Sequence, residues 1–332
     1  MTQDILSDVL RSVRLRGVLY FYVNGTRDWA AEAPSSCDIA AAVMPRSEHV
    51  MEYHVVVSGT CWAAVIGEPP VRLETGDIVL FPHGDPHVVS SAAGMRAPPD
   101  VAGYFDRKEQ RTPFVLHLDA REVQVGTVAD DPGDTTLVCG FLGCDLRPFN
   151  PLIASLPRLM HVPEDPRQNW TAQLMRQAAA ESRDRRPGGD AMLERLSEMM
   201  FVDAVRRYLG ALPENSRGWL AGTRDRFVGR ALALMHEAPA LAWTVDELGR
   251  RVGLSRSALH ERFVDVIGQA PMQYLANWRM QVGAALLRDS AAPVASVALE
   301  VGYQSEASFT RAFKRLVGKP PSLWRRQATP QV

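Results

Sequence analysis

Polar side chains that can exchange hydrogen bonds with DNA bases recur at helical spacing within the stretch "SRSALHERF". On a helix, Leu259 and Phe263 fall on one face because they are four residues apart. Ser257, His260 and Glu261 then point away from that face. Hydroxyl, imidazole and carboxylate groups can donate to or accept from base edges in the major groove. The stretch therefore predicts a helix with one apolar and one polar face, and the polar face is chemically able to contact bases if neighbouring elements hold the apolar one.

The preceding residues predict the element that holds this helix. Thr244 is a candidate N-cap, and the acidic residues Asp246 and Glu247 suit the positive first turn of a helix. Gly253 is expected to end that helix, and Ser255 to cap the next one. Two short helices joined by a glycine-containing turn form a helix-turn-helix, whose second helix enters the major groove.

The same pattern recurs about fifty residues later, in "VALEVGYQSEASFTRAFKRLVGKPP". Ser305, Phe309 and Phe313 take the places of the earlier cap and of its two apolar residues. The glycine and proline that follow the first unit recur as well, at Gly318 and Pro321. Two units with matched exits are much more specific than one, because many unrelated helical hairpins fit a single pattern.

Residues 222–327 resemble the DNA-binding domain of the AraC/XylS family of transcriptional regulators. The matching motifs are "GLSRSALHERF", "YLANWRMQVGAALL" and "VALEVGYQSEASFTRAFKRLVGKPPSLWR". The resemblance implies seven helices, with two recognition helices presented to successive major grooves about one helical turn of DNA apart. It also implies double-stranded DNA as the partner.

The resemblance further implies which residues contact DNA. The expected base-contacting residues are Ser257, His260, Glu261, Glu306, Ala307, Thr310 and Arg311. Arg311 is the best candidate for guanine, because a guanidinium can bond O6 and N7 together, and Glu261 can accept from a cytosine amine. Helix-surface ion pairs or cap contacts are the alternative for Glu261 and Glu306. The residues expected to contact phosphates are Lys314, Arg315, Lys319, Arg325 and Arg326.

The charge distribution agrees with this assignment. Residues 1–220 hold 22 Lys and Arg against 29 Asp and Glu, a net charge of −7. Residues 221–332 hold 15 against 9, a net charge of +6. The C-terminal third is therefore the part suited to a polyanion, although a solvated basic face is also common.

The first 150 residues contain short apolar runs bounded by Gly, Pro and Asp, which predict strands of a sandwich or barrel. "GDIVLFPHGDPHVV" is similar to the second motif of the cupin barrel, whose final histidine, here His87, points into the barrel. The first cupin motif is matched only in part: His54 takes its first histidine, Val56 its second and Cys61 its acid. This departure argues against cupin enzymes of the non-haem iron type, which use two histidines and a carboxylate.

The cupin resemblance still allows a metal site with softer ligands. His54 and His87 are expected to converge in the barrel, and cysteines can supply thiolates that suit zinc. The expected ligands are His54, His87, Cys139 and Cys61. The alternative is that a buried cysteine behaves only as a small apolar side chain.

Domain order adds a second resemblance, to the AraC-type subgroup that carries an N-terminal cupin. We expect a multidomain α+β protein with a cupin-like β-barrel sensor at 1–160, a helical linker or dimerisation segment at 161–220, and an all-α DNA-binding domain with two helix-turn-helix motifs at 221–332. The apolar stripe of the middle segment comprises Met192, Leu196, Met199, Met200, Val202 and Val205. Packing against the first domain and a subunit interface both explain that stripe.

Taken together, the sequence predicts a transcriptional regulator that binds specific DNA and is controlled by a ligand or metal in its cupin domain. The alternatives are a metal-dependent cupin enzyme fused to a DNA-binding module, and a ligand-independent regulator whose barrel only dimerises. We expect no enzymatic activity, and as partners a second copy of the chain, a small-molecule effector and, for an activator, RNA polymerase. No apolar run suits a bilayer and the first residues lack a signal peptide, so we expect a cytoplasmic protein without a membrane partner.

Overall fold

The computed structural model describes residues 3–107, 113–119, 123–126, 133–165, 170, 173–174, 177–178 and 187–328. Contacts between Cα atoms divide the chain into two compact units. The sheet unit contains Leu15–Cys144 and Leu156–Ala211. The helical unit contains Met1–Arg14, Asp145–Ser155 and Leu212–Val332.

The sheet unit has two β-sheets. Its strands are β1 (Arg16–Gly25), β2 (Ala30–Ala33), β3 (His49–Ser58), β4 (Thr60–Val65), β5 (Val71–Glu74), β6 (Ile78–Phe81), β7 (His87–Ser90), β8 (Phe114–Leu118), β9 (Val123–Gly126), β10 (Thr135–Cys144) and β11 (Met160–Val162). One sheet has the strand order β11-β6-β3-β10-β1-β8-β9, and the other β2-β7-β4-β5. β1 and β8 pair in parallel, whereas the other strand pairs are antiparallel. The predicted strands are therefore present, and closure of the sheets into a barrel stays a prediction.

The described helices lie mainly in the second half of the chain. They are α1 (Ile5–Ser12), α2 (Ser36–Val43), α3 (Val101–Asp106), α4 (Pro151–Ala154), α5 (Gly189–Ala211), α6 (Trp219–Arg224), α7 (Val228–Glu237), α8 (Val245–Val252), α9 (Arg256–Ile267), α10 (Pro271–Asp289), α11 (Val294–Glu300), α12 (Glu306–Val317) and α13 (Pro321–Ala328). Seven helices thus follow residue 227, as the family resemblance implies. Among the described residues, no helix combines the length and the apolar character that a membrane crossing requires.

Helix α5 packs against the sheet unit at β1 and β11. Gly17 of β1 permits this close approach, because a Cβ at that position would lie 2.5 Å from the Cβ of Ser197. The Ser197 hydroxyl also lies 2.7 Å from that of Tyr53 on β3. Leu196 and Met200 of the predicted apolar stripe are buried in this packing, as is Val205, whereas Met192 and Met199 are exposed.

Both helix-turn-helix motifs lie in the helical unit, at α8–α9 and α11–α12. The Thr244 hydroxyl accepts from the Glu247 N–H at 3.1 Å, and Ser255 caps α9 in the same way. Gly253 has a φ of +86°, in the left-handed region that a glycine adopts without strain. The turn predicted between the two helices is therefore formed by the residue expected there.

The scaffold side of the second motif is a compact apolar cluster. Phe309 and Phe313 of α12 are fully buried, together with Val297 and Val301 in and after α11. Met280 of α10 joins them. The two phenylalanines therefore support α12 rather than contact DNA.

Two segments distant in sequence belong to the helical unit. Asp145 accepts from both Arg14 and Arg288, at 2.8 and 2.9 Å. Gln281 of α10 donates to the Ser12 carbonyl at 2.9 Å and accepts from the Phe149 N–H at 3.0 Å. These contacts group residues 1–14 and 145–155 with the helices. The predicted domain boundaries at 160 and 220 stay a prediction, and part of the segment 161–220 lies outside the described residues.

Candidate functional site

The predicted base-contacting residues lie on the outward faces of α9 and α12. Ser257, His260 and Glu261 are exposed on α9, in its first two turns. On α12, Glu306, Ala307 and Arg311 are exposed and Thr310 is half-buried. The structure thus places each set on one accessible helix face, and their contact with bases stays a prediction.

The charged members of these sets are not engaged inside the protein. Within the described part of the chain, Glu261, Glu306 and Arg311 make no hydrogen bond or ion pair, and the choice between base contact and the alternatives for the two glutamates stays a prediction. His260 likewise has no polar partner among described residues. These side chains are therefore available to another molecule.

The predicted phosphate-contacting residues divide into two groups. Lys314, Arg315 and Arg326 are exposed. Arg325 is half-buried and donates to the carbonyls of Leu287, at 3.1 Å, and Ala292. Lys319 donates to Gln327, and its ammonium lies 5.0 Å from the Trp324 ring. Arg325 and Lys319 thus have internal partners that the sequence did not predict.

A second candidate site lies between the two sheets of the sheet unit. Glu52 and His54 lie two residues apart on β3, so their side chains share a face, and His87 begins β7 of the other sheet. The Nε2 atoms of His54 and His87 lie 3.0 Å apart. The Glu52 carboxylate lies 3.9 Å from His54 Nε2 and 3.7 Å from His87 Nε2. All three residues are buried.

In the described structure both histidines have hydrogen-bond partners, whereas the carboxyl group of Glu52 has none. His87 Nδ1 lies 3.0 Å from the Asp85 carbonyl, so Nδ1 carries the proton and Nε2 accepts. His54 Nε2 then donates to His87, and His54 Nδ1 accepts from the Cys139 thiol, 2.9 Å away. Neither oxygen of Glu52 has a hydrogen-bond partner in the described structure.

Burial controls the protonation of this group. Burial raises the pKa of Glu52 to about 8, because the carboxylate would be charged away from water. Burial lowers the pKa of His87 to about 4, and that of His54 well below its usual value. Both imidazoles are therefore neutral near pH 7, the form in which histidine binds metals.

The structure brings together three of the chemical groups that a metal needs. Two imidazoles and a carboxylate, from Glu52, His54 and His87, present ligand atoms within 4.8 Å of one another. This donor set suits a divalent transition metal, and the unpartnered carboxylate fits the same role. Cys139 contacts His54 instead of joining the group, and Cys61 on β4 is not part of it. Burial raises the pKa of Cys61 to about 12, which disfavours a thiolate.

The sequence interpretation missed Glu52. It placed the acid of the first cupin motif at Cys61, and from this it argued that no two-histidine, one-carboxylate set was present. That argument was wrong, because Glu52 supplies a carboxylate from the same strand as His54. The signal was present in the sequence as an acid two residues before a histidine in a predicted strand, where alternate residues share a face.

The Glu52 group opens onto a cavity of about 170 Å³. Most of its wall is aromatic or aliphatic, including Phe21, Val89, Phe114 and Leu118. The Tyr20 hydroxyl, which is buried and has no hydrogen-bond partner in the described structure, belongs to a lining residue as well. The cavity therefore joins an apolar chamber to the polar group formed by Glu52, His54 and His87.

Known proteins resemble this chain over both parts. Residues 4–210 match a cupin family model and residues 248–327 a helix-turn-helix domain model. A putative AraC-like transcription regulator of Streptomyces lividans is 32% identical over 98% of this chain and 99% of its own. The HTH-type transcriptional regulator AlkR of Acinetobacter baylyi is 26% identical over 98% of this chain and 100% of its own.

A solved structure, the DNA-binding domain of AdpA in complex with a target DNA, is 28% identical over 31% of this chain and 92% of that chain, with a TM-score of 0.30. The full-length relatives bear the names of regulators, which confirms the predicted regulator and does not favour the enzyme. Their matches extend across the cupin and the helix-turn-helix parts alike. The chain therefore belongs to the AraC-like transcription regulators, with an N-terminal cupin domain and a C-terminal helix-turn-helix DNA-binding domain.

Proposed function

We propose that this regulator recognises its DNA sites by inserting α9 and α12 into two successive major grooves, and that its cupin domain controls this binding. The observation that carries the proposal is the repetition of one scaffold with different outward residues. Ser255 and Ser305 cap the two helices alike, whereas His260 and Glu261 face outward on one and Thr310 and Arg311 on the other. Two similar helices with different outward side chains suit two different short sequences.

Arg311 is the residue with the clearest expected role. Its guanidinium has five hydrogen-bond donors in a fixed plane, and it has no hydrogen-bond or ion-pair partner among the described residues. A bidentate contact to a guanine would be worth about 1–3 kcal/mol of discrimination. Arg315 and Lys314 on the same helix, and Arg326 on α13, would add affinity through phosphates without selecting a base.

Control by the cupin domain requires an effector that binds two states of the protein differently. The polar group and cavity of the sheet unit supply a place for it, because Glu52 and His54 come from one sheet and His87 from the other. An occupant that contacts all three would link the sheets. We infer that its binding energy stabilises one arrangement of the protein over another.

A metal ion, with zinc as the first candidate, is one proposed occupant. Glu52, His54 and His87 would hold it, and a divalent cation there would compensate the charge of the unpartnered carboxylate. The Cys139 thiol would have to accept rather than donate at His54 Nδ1, since His54 Nε2 must then be free of its proton.

We further propose that the protein acts as a homodimer in the cytoplasm and contacts RNA polymerase if it activates transcription. Met192 and Met199 support the dimer, because they lie seven residues apart on α5 and are 44% and 48% exposed. They are the part of the predicted apolar stripe that the sheet unit leaves uncovered.

Purified full-length protein tests the proposal through its affinity for selected DNA, with and without candidate effectors, and through in vitro transcription. Effector-dependent changes in DNA affinity, spacing preference or transcription are expected. Metal analysis followed by His54→Ala and His87→Ala then separates the modes of control. No metal, no effector response and unchanged regulation in both variants would favour a regulator whose cupin domain only dimerises.

A further inference from the structure

The cavity of the sheet unit combines a size, an apolar wall and a single unpaired acid. Its volume of about 170 Å³ is close to that of an engineered apolar cavity of about 150 Å³ that binds benzene. A single ring or a short branched chain therefore fits. Phe21 and Phe114 stack with their ring centroids 5.9 Å apart, and Tyr20 meets Phe114 edge-on at 5.6 Å, which gives the occupant an aromatic surface.

The charged groups in the cavity wall indicate which polar group a bound ligand carries. Arg107 is paired with Asp100 at 3.0 Å, and Glu32 is held by two hydrogen bonds from Arg96, at 2.6 and 2.8 Å. These pairs are internally neutral. Glu52 is the acid in the described wall that lacks a basic side chain within hydrogen-bond distance, and both its oxygens are unpartnered. A cationic group that donates hydrogen bonds would satisfy both oxygens and hold this carboxyl group in the charged form that burial disfavours.

The histidines beside Glu52 already have hydrogen-bond partners within the protein and do not require a ligand to satisfy them. The Cys139 thiol, His54, His87 and the Asp85 carbonyl form a continuous chain of donors and acceptors. Among the described residues, the carboxyl group of Glu52 is the member of this cluster without a hydrogen-bond partner. A bare metal ion would satisfy the carboxyl group but would break that chain and leave the apolar chamber empty, whereas one organic cation would fill both places.

We propose that the cavity binds a small molecule with an apolar body about the size of one ring and a protonated amine. The Glu52 carboxylate accepts hydrogen bonds from the ammonium group. This inference rests on the proposed control by the cupin domain, since it names the chemical class of the effector. A metal ion and this ligand are alternatives, because both require Glu52.

Calorimetric titration of the full-length protein with three small molecules of similar shape tests the proposed ligand class. The protein is first treated with a chelator to remove any bound metal. Benzylamine, benzyl alcohol and benzoate share a ring and differ in head charge. Benzylamine is expected to bind tightest and benzoate weakest. In Glu52→Gln, the affinity for benzylamine should fall about tenfold, the effect of losing one charged hydrogen bond, while that for benzyl alcohol stays nearly unchanged.

Two further variants make the test specific. Glu32→Gln removes the same charge from another part of the wall, where Arg96 already neutralises it, and should leave the preference for benzylamine intact. Val89→Phe should weaken benzylamine and benzyl alcohol alike, because it fills the chamber from β7. Binding of this variant also reports on the cavity if Glu52→Gln does not fold.

The outcomes are distinct. The inference is overturned if benzoate binds as well as benzylamine, if Glu52→Gln changes nothing, or if no probe binds to folded protein. It is also overturned if the untreated protein holds one metal per chain and chelation abolishes amine binding. DNA affinity is measured in parallel on a duplex selected from a random pool, so that the two proposals are tested separately. If the protein binds DNA but none of the three probes, the proposed ligand class is wrong and the proposed DNA-binding function is unaffected.

Discussion

Ser255 and Ser305 begin the two recognition helices with the same hydrogen bond. Each hydroxyl oxygen accepts from the backbone N–H three residues later, at 3.2 Å in both cases. α9 and α12 are also both 12 residues long and both are followed by a glycine with φ of +83°, so equivalent positions lie equally far from the two helix ends. We therefore expect differences in DNA sequence preference to come from the outward side chains and not from the helix ends.

The shared cap predicts a local effect of its removal. Ser305→Ala should lower the free energy of unfolding by about 1 kcal/mol, since one N–H at the start of α12 loses its acceptor. Hydrogen exchange should become faster in the first turn of α12 and stay unchanged in α9. Ser255→Ala should show the reverse pattern. Equal acceleration in both helices for either variant would contradict independent caps.

Arg311 should read one segment of the binding site. Arg311→Ala is expected to relax base preference within the segment bound by α12, at a cost of about 1–3 kcal/mol, and to leave the other segment as specific as before. Arg315→Ala, one turn later on the same helix, is the matched control and should weaken all sites alike. Sequence selection with each variant measures both. Equal loss of specificity over both segments for Arg311→Ala would refute the assignment.

Arg325 and Arg326 are neighbours that should behave differently. Arg326 is exposed and has no polar partner among the described residues, so Arg326→Ala should reduce the slope of log affinity against log salt by about 1. Arg325 instead holds the carbonyls of Leu287 and Ala292, so its replacement by alanine should lower stability. Salt titrations and denaturant unfolding of both variants check this. A smaller salt slope with unchanged stability in Arg325→Ala would reverse the assignment.

Asp145 should stabilise the helical unit far more than Asp289, although both pair with Arg288. The Asp145 side chain is 8% exposed and also holds Arg14, whereas that of Asp289 is 61% exposed. Asp145→Asn should therefore cost about 3 kcal/mol of unfolding free energy, since Arg288, which is 5% exposed, loses its buried charged partner and Arg14 loses its partner as well. Asp289→Asn should cost less than about 1 kcal/mol. Similar losses in the two variants, measured by urea unfolding, would contradict this account.

Local signals were sufficient to predict the helix-turn-helix motifs. Thr244, Ser255 and Ser305 are polar caps that precede apolar residues at helical spacing, and Gly253 follows the last apolar residue of α8. Each of these signals acts within one or two turns of chain. The predicted caps and turns therefore appear in the structure where the sequence put them.

Long-range contacts were not predictable in the same way. Nothing near Asp145 or Ser12 in the sequence indicates that they contact α10, more than 130 residues away. The unpaired state of Glu52 likewise depends on which strands surround it and not on its neighbours in the chain. Such features arise from packing, which hydrophobic patterning specifies only by face.

Selection of bound duplexes from a random DNA pool by the full-length protein tests the central claim most directly. We predict that each enriched site contains two different short segments whose centres lie about 10 base pairs apart, as two helices in successive major grooves require. Inserting half a helical turn between the segments should abolish the enrichment. A single enriched segment, or binding that does not depend on the spacing, would contradict the claim.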